Sequence, residues 1–498
     1  MSDGTPGTQP RVRRAATDEE QDVVDSPLVD AWHAARAEER RSLQIPGHKN
    51  RYAADTTDSS VFAADLLGPL IRDDLALQGG VDDNALSHRF VEQAEALWAA
   101  AVGADYARFL VGGSSQGNIS ALSTVAEPGR PVAVDRTSHR STQAALVISG
   151  ARPVWVYPTI HPEFHLPVGL PADSVAEVPT DATALFVTSP SYVGTITDVT
   201  AVAARAHARG LVLVVDQAWG AHLDFLPGRG ALACGADLAV TSVHKALLGY
   251  TQTAVVAMRD ERVARAHLDR CVDLTATTSP SVTLLASIDA TRAALVEDEG
   301  VALARTAELV DGMRRRLARV RGLVVLDEAT AGCPMDPFKV TLVLPGTGVS
   351  GLDLAAALWE DGHGVETADR DTLVLTMTLA DDADTAEHVS ETIAAMVEAR
   401  RTEPRPPTPG AVWRVEPEVV VTPREAFFAR RRRLPLREAI GEVSAEQFCP
   451  YPPGVPLLAP GERVTVEAVD AIEAAGRVGR VAYSSDPTLA TIEVVDAI

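Results

Sequence analysis

Residues 238–254 read LAVTSVHKALLGYTQTA and include Lys245, one of three lysines in a chain of 498 residues. The apolar, β-branched run LAVTSV is typical of a buried strand, so Lys245 is expected just beyond the carboxyl end of that strand. In open α/β sheets, ligands bind in the crevice outside those ends. The stretch therefore predicts an α/β sheet with a chemical site beside Lys245.

The sequence around this stretch alternates short apolar runs with helical patterns. PVAVD (131–135), TALFVTS (183–189) and LVLVVD (211–216) have the character of buried strands, and VTAVAARAHARG (199–210) has that of a helix. This alternation predicts a mostly parallel sheet that is covered on both faces. A later region with FKVTLVLPG, GLDLAAALWEDG and TLVLTMT predicts a smaller α+β domain.

Composition excludes several classes of function. The formal net charge of −23 disfavours nucleic-acid binding, and the one dense basic run, ARRRR (429–433), is interpreted as a solvated helix face balanced by acids. The longest apolar runs are too short to cross a bilayer, so no membrane partner is expected. The four scattered cysteines suggest neither a metal site nor disulfides, which favours a cytoplasmic setting.

Four positions near predicted strand ends carry side chains that could together bind one cofactor. The glycine-rich GGSSQGN supplies Ser114 and Ser115 for a phosphate, and His139, Asp216 and Lys245 each follow or end an apolar run. Taken singly, the glycine-rich loop is more often a turn and His139 a structural histidine, Asp216 has a helix cap as its alternative, and the indication from Lys245 is modest. Together, a phosphate cup, a flat ring, a carboxylate and an amine are what pyridoxal 5'-phosphate needs.

There are only three candidates for the Schiff-base lysine, because the chain contains only Lys49, Lys245 and Lys339. Lys49 precedes the predicted sheet, and Lys339 falls inside a strand of the later region. Lys245 alone follows a strand of the large sheet, and it is therefore the predicted nucleophile toward the cofactor aldehyde.

At this point the sequence resembles the Orn/Lys/Arg decarboxylases of the aspartate-aminotransferase fold. The resemblance covers most of the chain and rests on motifs at both ends and in the middle. These motifs are IPGHKN (45–50), GGSSQGN (112–118), TSPSYVGTITD (188–198), DQAWGAH (216–222), TSVHKALLGYTQ (241–252), TTSPSVTLLASID (277–289), TPREAFF (422–428) and PYPPGVPLLAPGE (450–462).

The resemblance implies a fold type I, pyridoxal-phosphate-dependent large domain with a smaller α+β region, in the short form of the family. Lys245 would carry the cofactor, Asp216 would pair with its pyridinium nitrogen and His139 would stack on its ring. The other cofactor contacts that the resemblance implies are Ser114, Ser115, Ser242 and His244 at the phosphate, Trp219 beside the ring, and Thr278 or Ser279 from a second subunit.

With the resemblance, the chain divides into six expected parts. They are a disordered tail (1–25), an N-terminal segment (26–60), a cofactor-binding large domain (61–320), a small α+β domain (321–400), a Pro-rich linker (401–412) and a C-terminal decarboxylase domain (413–498).

The implied reaction is decarboxylation of a basic amino acid, with arginine, lysine and ornithine all admitted. Within DDLALQGGVDDNALSHRF (73–90), the pair Asp82 and Asp83 matches the family pattern but the Leu-His expected after it is missing. This segment looks like part of the substrate entrance, so both aspartates are candidate substrate contacts; helix caps or loop residues are the alternative. The negative net charge also suits a cationic substrate.

Other functions stay open at the level of sequence. An aminotransferase or a carbon–carbon or carbon–sulfur lyase would use the same cofactor residues, although no arginine is assigned here to a substrate carboxylate. A cofactor-binding regulator without turnover is a further alternative, but no helix-turn-helix pattern is appended. A homodimer or higher oligomer is expected, and either Lys245 or His139 is the expected proton donor.

Overall fold

The computed structural model describes residues 24–37, 46, 48, 50, 68–78, 81–82, 87–408, 415–451, 454–477 and 481–497. The predicted tail through residue 23, Lys49, Asp83 and part of the predicted linker lie outside the described residues.

The large domain is built on one seven-stranded sheet with the order β1-β7-β6-β5-β4-β2-β3. Strands β2 to β6 pair in parallel, while β7 runs antiparallel to β6 and β1. The mostly parallel sheet predicted from the sequence is therefore confirmed. Its strands are β1 (Tyr106–Leu110), β2 (Pro131–Asp135), β3 (Arg152–Val156), β4 (Ala184–Thr188), β5 (Val212–Asp216), β6 (Leu238–Ser242) and β7 (Ala254–Met258).

Helices cover both faces of this sheet, and its strands consequently bury successive side chains on opposite sides. In β5, Leu213 and Val215 belong to one apolar cluster and Val214 belongs to the other. The helices of this part are α1 (Pro27–Ala37), α2 (Phe90–Val102), α3 (Gly113–Val125), α4 (Ser141–Ser149), α5 (Val199–Ala208), α6 (Val243–Ala246), α7 (Arg265–Thr275) and α8 (Val282–Glu297).

The small domain is a four-stranded antiparallel sheet with helices packed against it, in the order β10-β11-β9-β8. Helix α9 joins the two domains, because Leu303 packs in the large core while Val310 and Leu317 pack in the small one. The elements are α9 (Val301–Leu317), β8 (Val324–Leu326), α10 (Glu328–Ala331), β9 (Lys339–Val343), α11 (Gly351–Glu360), β10 (Thr367–Ala368), β11 (Thr372–Thr376) and α12 (Ala383–Arg400).

The C-terminal region has its own apolar cluster, which includes Leu458, Ile472 and Val494. Its elements are α13 (Pro423–Phe428), β12 (Arg430–Pro435), β13 (Cys449–Tyr451), α14 (Val466–Arg477), β14 (Val481–Tyr483) and β15 (Thr491–Ala497). Short 3₁₀ turns complete the described chain at Gly68–Asp73, Ala172–Glu177, Ala221–Phe225, Pro345–Thr347 and Leu436–Ala439.

The prediction that the arginine run lies on a helix is wrong, because residues 430–433 belong to strand β12. The strand pairs antiparallel with β15, where Arg433 lies directly opposite Glu493 and donates to it at 3.1 Å. Pairing with a strand about sixty residues later overrides the local pattern, since the ladder satisfies the backbone groups of both strands. The predicted balance by acids is seen, with Arg432 also contacting Glu442 at 2.8 Å.

A buried ion pair ties the C-terminal region to the large sheet. Arg136, directly after β2, donates to both carboxylate oxygens of Glu462 at 2.5 and 3.1 Å, and its guanidinium lies 4.6 Å from the ring centre of Trp155. Both charged side chains are almost completely buried. A pair of this kind is costly to break, because the remaining charge has no water to replace its partner.

We expect Glu462→Ala to destabilise the protein by about 3–5 kcal/mol, because it leaves the Arg136 guanidinium buried and unpaired. Urea unfolding followed by fluorescence measures the change. The matched control is Glu418→Ala, which removes an exposed ion pair between Glu418 and Arg463, the residue that follows Glu462. It should lower the free energy of unfolding by only about 0–1 kcal/mol. Equal costs for the two variants would contradict the assigned role of Glu462.

Within the described part of the chain, no helix has the length and apolar character needed to span a bilayer. The cytoplasmic setting suggested by the cysteines stays a prediction.

Candidate active site

Parallel strands bring their carboxyl ends to one edge of the sheet, and a narrow cleft opens there. Five of the predicted residues line this cleft together: Ser114, His139, Asp216, Trp219 and Lys245. The other residues of its lining are Thr137, Thr188, Ser191, Tyr192, Ala218 and Val455. Val455 comes from the PYPPGVP motif, so the C-terminal region closes one side of the cleft.

Lys245 lies on α6, a single turn that begins directly after β6. Its ammonium nitrogen is 4.0 Å from the ring centre of Trp219. Burial lowers the pKa of Lys245, while the negative charges of Asp216 and Glu366 oppose that change. A lysine whose charged form is disfavoured has more of its amine free to react with an aldehyde.

Asp216 is the last residue of β5 and is only 2% exposed. Its carboxylate accepts hydrogen bonds from Asn118 Nδ2 at 2.7 Å and from the backbone N–H of Ala218 at 3.0 Å. Neither donor carries a formal charge, so Asp216 keeps its negative charge available to a cation in the cleft.

His139 follows β2, and its Nδ1 lies 2.9 Å from Ser141 Oγ and accepts from the Ser141 backbone N–H at 3.3 Å. Because Nδ1 accepts, the proton of the neutral ring belongs on Nε2. Burial lowers the pKa of His139, with Lys245 and Arg140 adding to this and Asp216 opposing it. The ring at the cleft is therefore neutral at pH 7.

Asn118 and Ser141 are functional residues that sequence reasoning missed. Asn118 Nδ2 donates to Ser141 Oγ at 3.0 Å as well as to the Asp216 carboxylate. Because Ser141 also contacts His139, the Asn118 amide links His139 to Asp216. The only signal available was the position of Asn118 at the end of the GGSSQGN motif. A polar residue that becomes buried one turn into a helix needs such partners.

Asp135 was also missed, although it ends the run PVAVD as Asp216 ends LVLVVD. Its carboxylate accepts from Thr137 N and Oγ1 at 2.9 and 2.8 Å and from Thr188 N at 3.3 Å. Burial raises the pKa of Asp135 to about 6. Thr137 and Thr188 both line the cleft, so Asp135 shapes the cleft wall.

The predicted phosphate residues surround the first turn of α3 and the end of β6. Ser114 and Ser115 lie on that turn, whose backbone N–H groups have no partners within the helix. The buried hydroxyl of Ser242 has no hydrogen-bond partner among the described residues, and His244 Nδ1 lies 2.8 Å from the carbonyl oxygen of Thr253. Unused donors, a carboxylate and an amine together fit pyridoxal phosphate.

Thr278 and Ser279 are exposed and do not line the cleft of their own chain. Their contact with the cofactor of a second subunit stays a prediction. Asp82 caps α2 instead of facing the cleft, because it accepts from Ser87 Oγ at 2.8 Å and from Phe90 N at 2.6 Å. This is the helix-cap alternative named for it above. Its neighbour Asp83 lies outside the described residues.

A wider cavity of about 940 Å³ opens on the His139 side of the cleft, between helices α3 and α4 of the large domain and the C-terminal region. His139 lines both spaces, and Ser115 faces the wider one. Among the described residues, no group of three or more His, Cys, Asp or Glu side chains is placed to hold a metal ion.

The order of the sheet and the position of the cleft at its strand ends are those of fold type I, the fold of aspartate aminotransferase. An aspartate aminotransferase from Thermus thermophilus superposes with a TM-score of 0.50 at 17% identity, over 62% of this chain and 90% of that one. A lysine decarboxylase from Francisella novicida superposes with a TM-score of 0.79 at 18% identity, over 95% of this chain and 82% of that one.

The chain belongs to the Orn/Lys/Arg decarboxylase family. The family model for the Orn/Lys/Arg decarboxylase major domain matches residues 26–331, and the model for the C-terminal domain matches residues 409–479. An arginine decarboxylase from Bacillus subtilis is 30% identical over 465 residues, covering 90% of this chain and 93% of that protein. The protein is thus an amino-acid decarboxylase, and its family implies dependence on pyridoxal phosphate.

Proposed function

We propose that this enzyme uses pyridoxal 5'-phosphate to release the α-carboxylate of a basic amino acid as carbon dioxide and leave the corresponding amine. The observation that carries the proposal is the single cleft in which Lys245, Asp216 and His139 meet. When bound, pyridoxal phosphate supplies an electron-withdrawing ring that accepts the electron pair left by the departing carbon dioxide.

Each residue of the cleft then has a defined task. Lys245 would offer its amine to the cofactor aldehyde, and Asp216 would hold a proton on the ring nitrogen. His139, neutral and held by Ser141, would pack against the ring. The residues that would hold the phosphate are Ser114, Ser115, Ser242 and His244. The proton that replaces carbon dioxide would come from Lys245 in its ammonium form, or from His139 after its ring has taken up a second proton; both residues line the cleft.

A basic substrate is supported by relatives named arginine and lysine decarboxylase and by the net charge of −23. Two acids of the predicted entrance segment already have partners, since Asp73 pairs with Arg36 at 2.7 Å and Asp74 with His48 at 3.2 Å. Glu366 is exposed and does not line the cleft, but its negative charge opposes the lowering of the Lys245 pKa. That charge suits a distal ammonium or guanidinium.

The test is a substrate panel with purified protein and added pyridoxal phosphate. Arginine, lysine and ornithine are compared with leucine and glutamate, following both carbon dioxide and the amine. We expect at least one basic amino acid to give a higher kcat/KM than leucine and glutamate. A higher value for leucine or glutamate would contradict the substrate class. A keto-acid product in place of the amine would instead favour an aminotransferase.

We also propose that the working form is a homodimer, with Thr278 or Ser279 of the partner subunit reaching the cofactor phosphate. Both residues are exposed and contact no part of their own cleft, which agrees with a role across an interface. Sedimentation velocity at assay concentrations should give at least twice the monomer mass of 52.7 kDa. A fully active monomer would refute this proposal.

A further inference from the structure

Lys339, which the sequence placed inside a strand away from the site, is a second lysine that packs against Trp219, a residue of the cleft lining. It begins β9 of the small domain and has a relative exposure of 0%. Its ammonium nitrogen donates to Thr376 Oγ1 at 2.6 Å and lies 3.7 Å from the ring centre of Trp219. Burial of a lysine is costly, so its retention requires partners of this kind.

Trp219 therefore has two ammonium nitrogens against one ring, since that of Lys245 is 4.0 Å from the same ring centre. An aromatic ring attracts a cation to its face. Two cations at one ring also repel each other, and the repulsion is strong where water is excluded. A full positive charge on Lys339 thus opposes a full positive charge on Lys245.

We propose that Lys339 is a positioning residue that acts on Lys245 through Trp219, holding the indole from the small domain and disfavouring a second positive charge at the cofactor lysine. The inference rests on the proposed function, in which Lys245 reacts with the cofactor as an uncharged amine. It gives the small domain a direct effect on the reactivity of that amine.

Several other charges face the two lysines. The pKa of Lys339 is lowered to about 8, chiefly by burial and also by the positive charge of Lys245, while Asp336 and Glu366 oppose the lowering. Asp336 itself pairs with His222 at 2.9 Å.

Arg314 of α9 donates to the backbone oxygens of Asp336 and Lys339 at 2.8 and 2.6 Å. Lys245 faces Asp216, Glu366 and the neutral ring of His139.

The experiment uses the three-lysine composition of the chain. Full-length protein labelled with [ε-¹³C]lysine and freed of cofactor gives three lysine signals, assigned with Lys49→Arg and with the Lys339 variants. We expect Lys339→Met to raise the pKa of Lys245, because it removes a positive charge from the same indole ring. Lys339→Arg, which keeps the charge, should leave the pKa of Lys245 near its original value.

Lys339→Gln serves as a second neutral variant, because its amide still donates to Thr376 and so preserves the local packing. We expect it to shift the pKa of Lys245 in the same direction as Lys339→Met. An unchanged pKa of Lys245 in a folded neutral variant would overturn the inference. Borohydride labelling of Lys245 in the same variants, followed by peptide mapping, reports separately on whether Lys245 is the cofactor lysine.

Discussion

We expect Lys245→Ala to lose the borohydride-reducible bond to pyridoxal phosphate and all measurable decarboxylation. Lys245 is the lysine that faces Asp216 across the cleft, and alanine has no amine to offer the cofactor aldehyde. The phosphate contacts and Asp216 remain, so weak, non-covalent cofactor binding should persist. Absorbance of the bound cofactor and mass analysis of borohydride-treated peptides measure the two effects.

The matched control is Lys339→Arg, which alters the other lysine at Trp219 but leaves Lys245 in place. In that variant, the reducible bond should still map to the peptide that contains Lys245. A reducible adduct at the wild-type level in Lys245→Ala would show that a different lysine carries the cofactor and would overturn the assignment.

The large sheet and the residues at its strand ends could be predicted because each depends on a local pattern. Asp216 and Lys245 follow apolar runs, and parallel strands bring such positions to one edge whatever the details of packing. The order of the strands and the antiparallel direction of β7 could not be predicted in this way, because they depend on pairing between segments far apart in sequence.

The residues that sequence reasoning missed act through contacts of long sequence separation. Asn118 meets Asp216 across ninety-eight positions, and Lys339 reaches Trp219 from another domain. The local sequence around a lysine in a strand does not show which side chains of another domain that lysine will contact. For the same reason the arginine run at 430–433 was wrongly expected on a helix, since its strand partner Glu493 comes sixty residues later.

We expect Asp216→Asn to keep the fold and bind pyridoxal phosphate while lowering kcat by a factor on the order of 10² to 10⁴. The amide matches the carboxylate in shape and still accepts from Asn118, but it carries no negative charge to hold a proton on the ring nitrogen. Cofactor affinity by fluorescence titration and steady-state carbon dioxide release separate binding from turnover.

The control is Asp224→Asn, at a second, half-buried aspartate of the large domain that does not line the cleft. Burial raises the pKa of Asp224 to about 7, and its side chain accepts from Gln217 Nε2 at 2.8 Å, a bond that asparagine can also accept. Because that aspartate is about half protonated near neutral pH and lies outside the cleft, its replacement removes only part of a charge, and kcat should stay close to the original value. If Asp216→Asn also retained near-normal kcat, the charge of Asp216 would have no part in catalysis, and the role assigned to the last residue of β5 would be wrong.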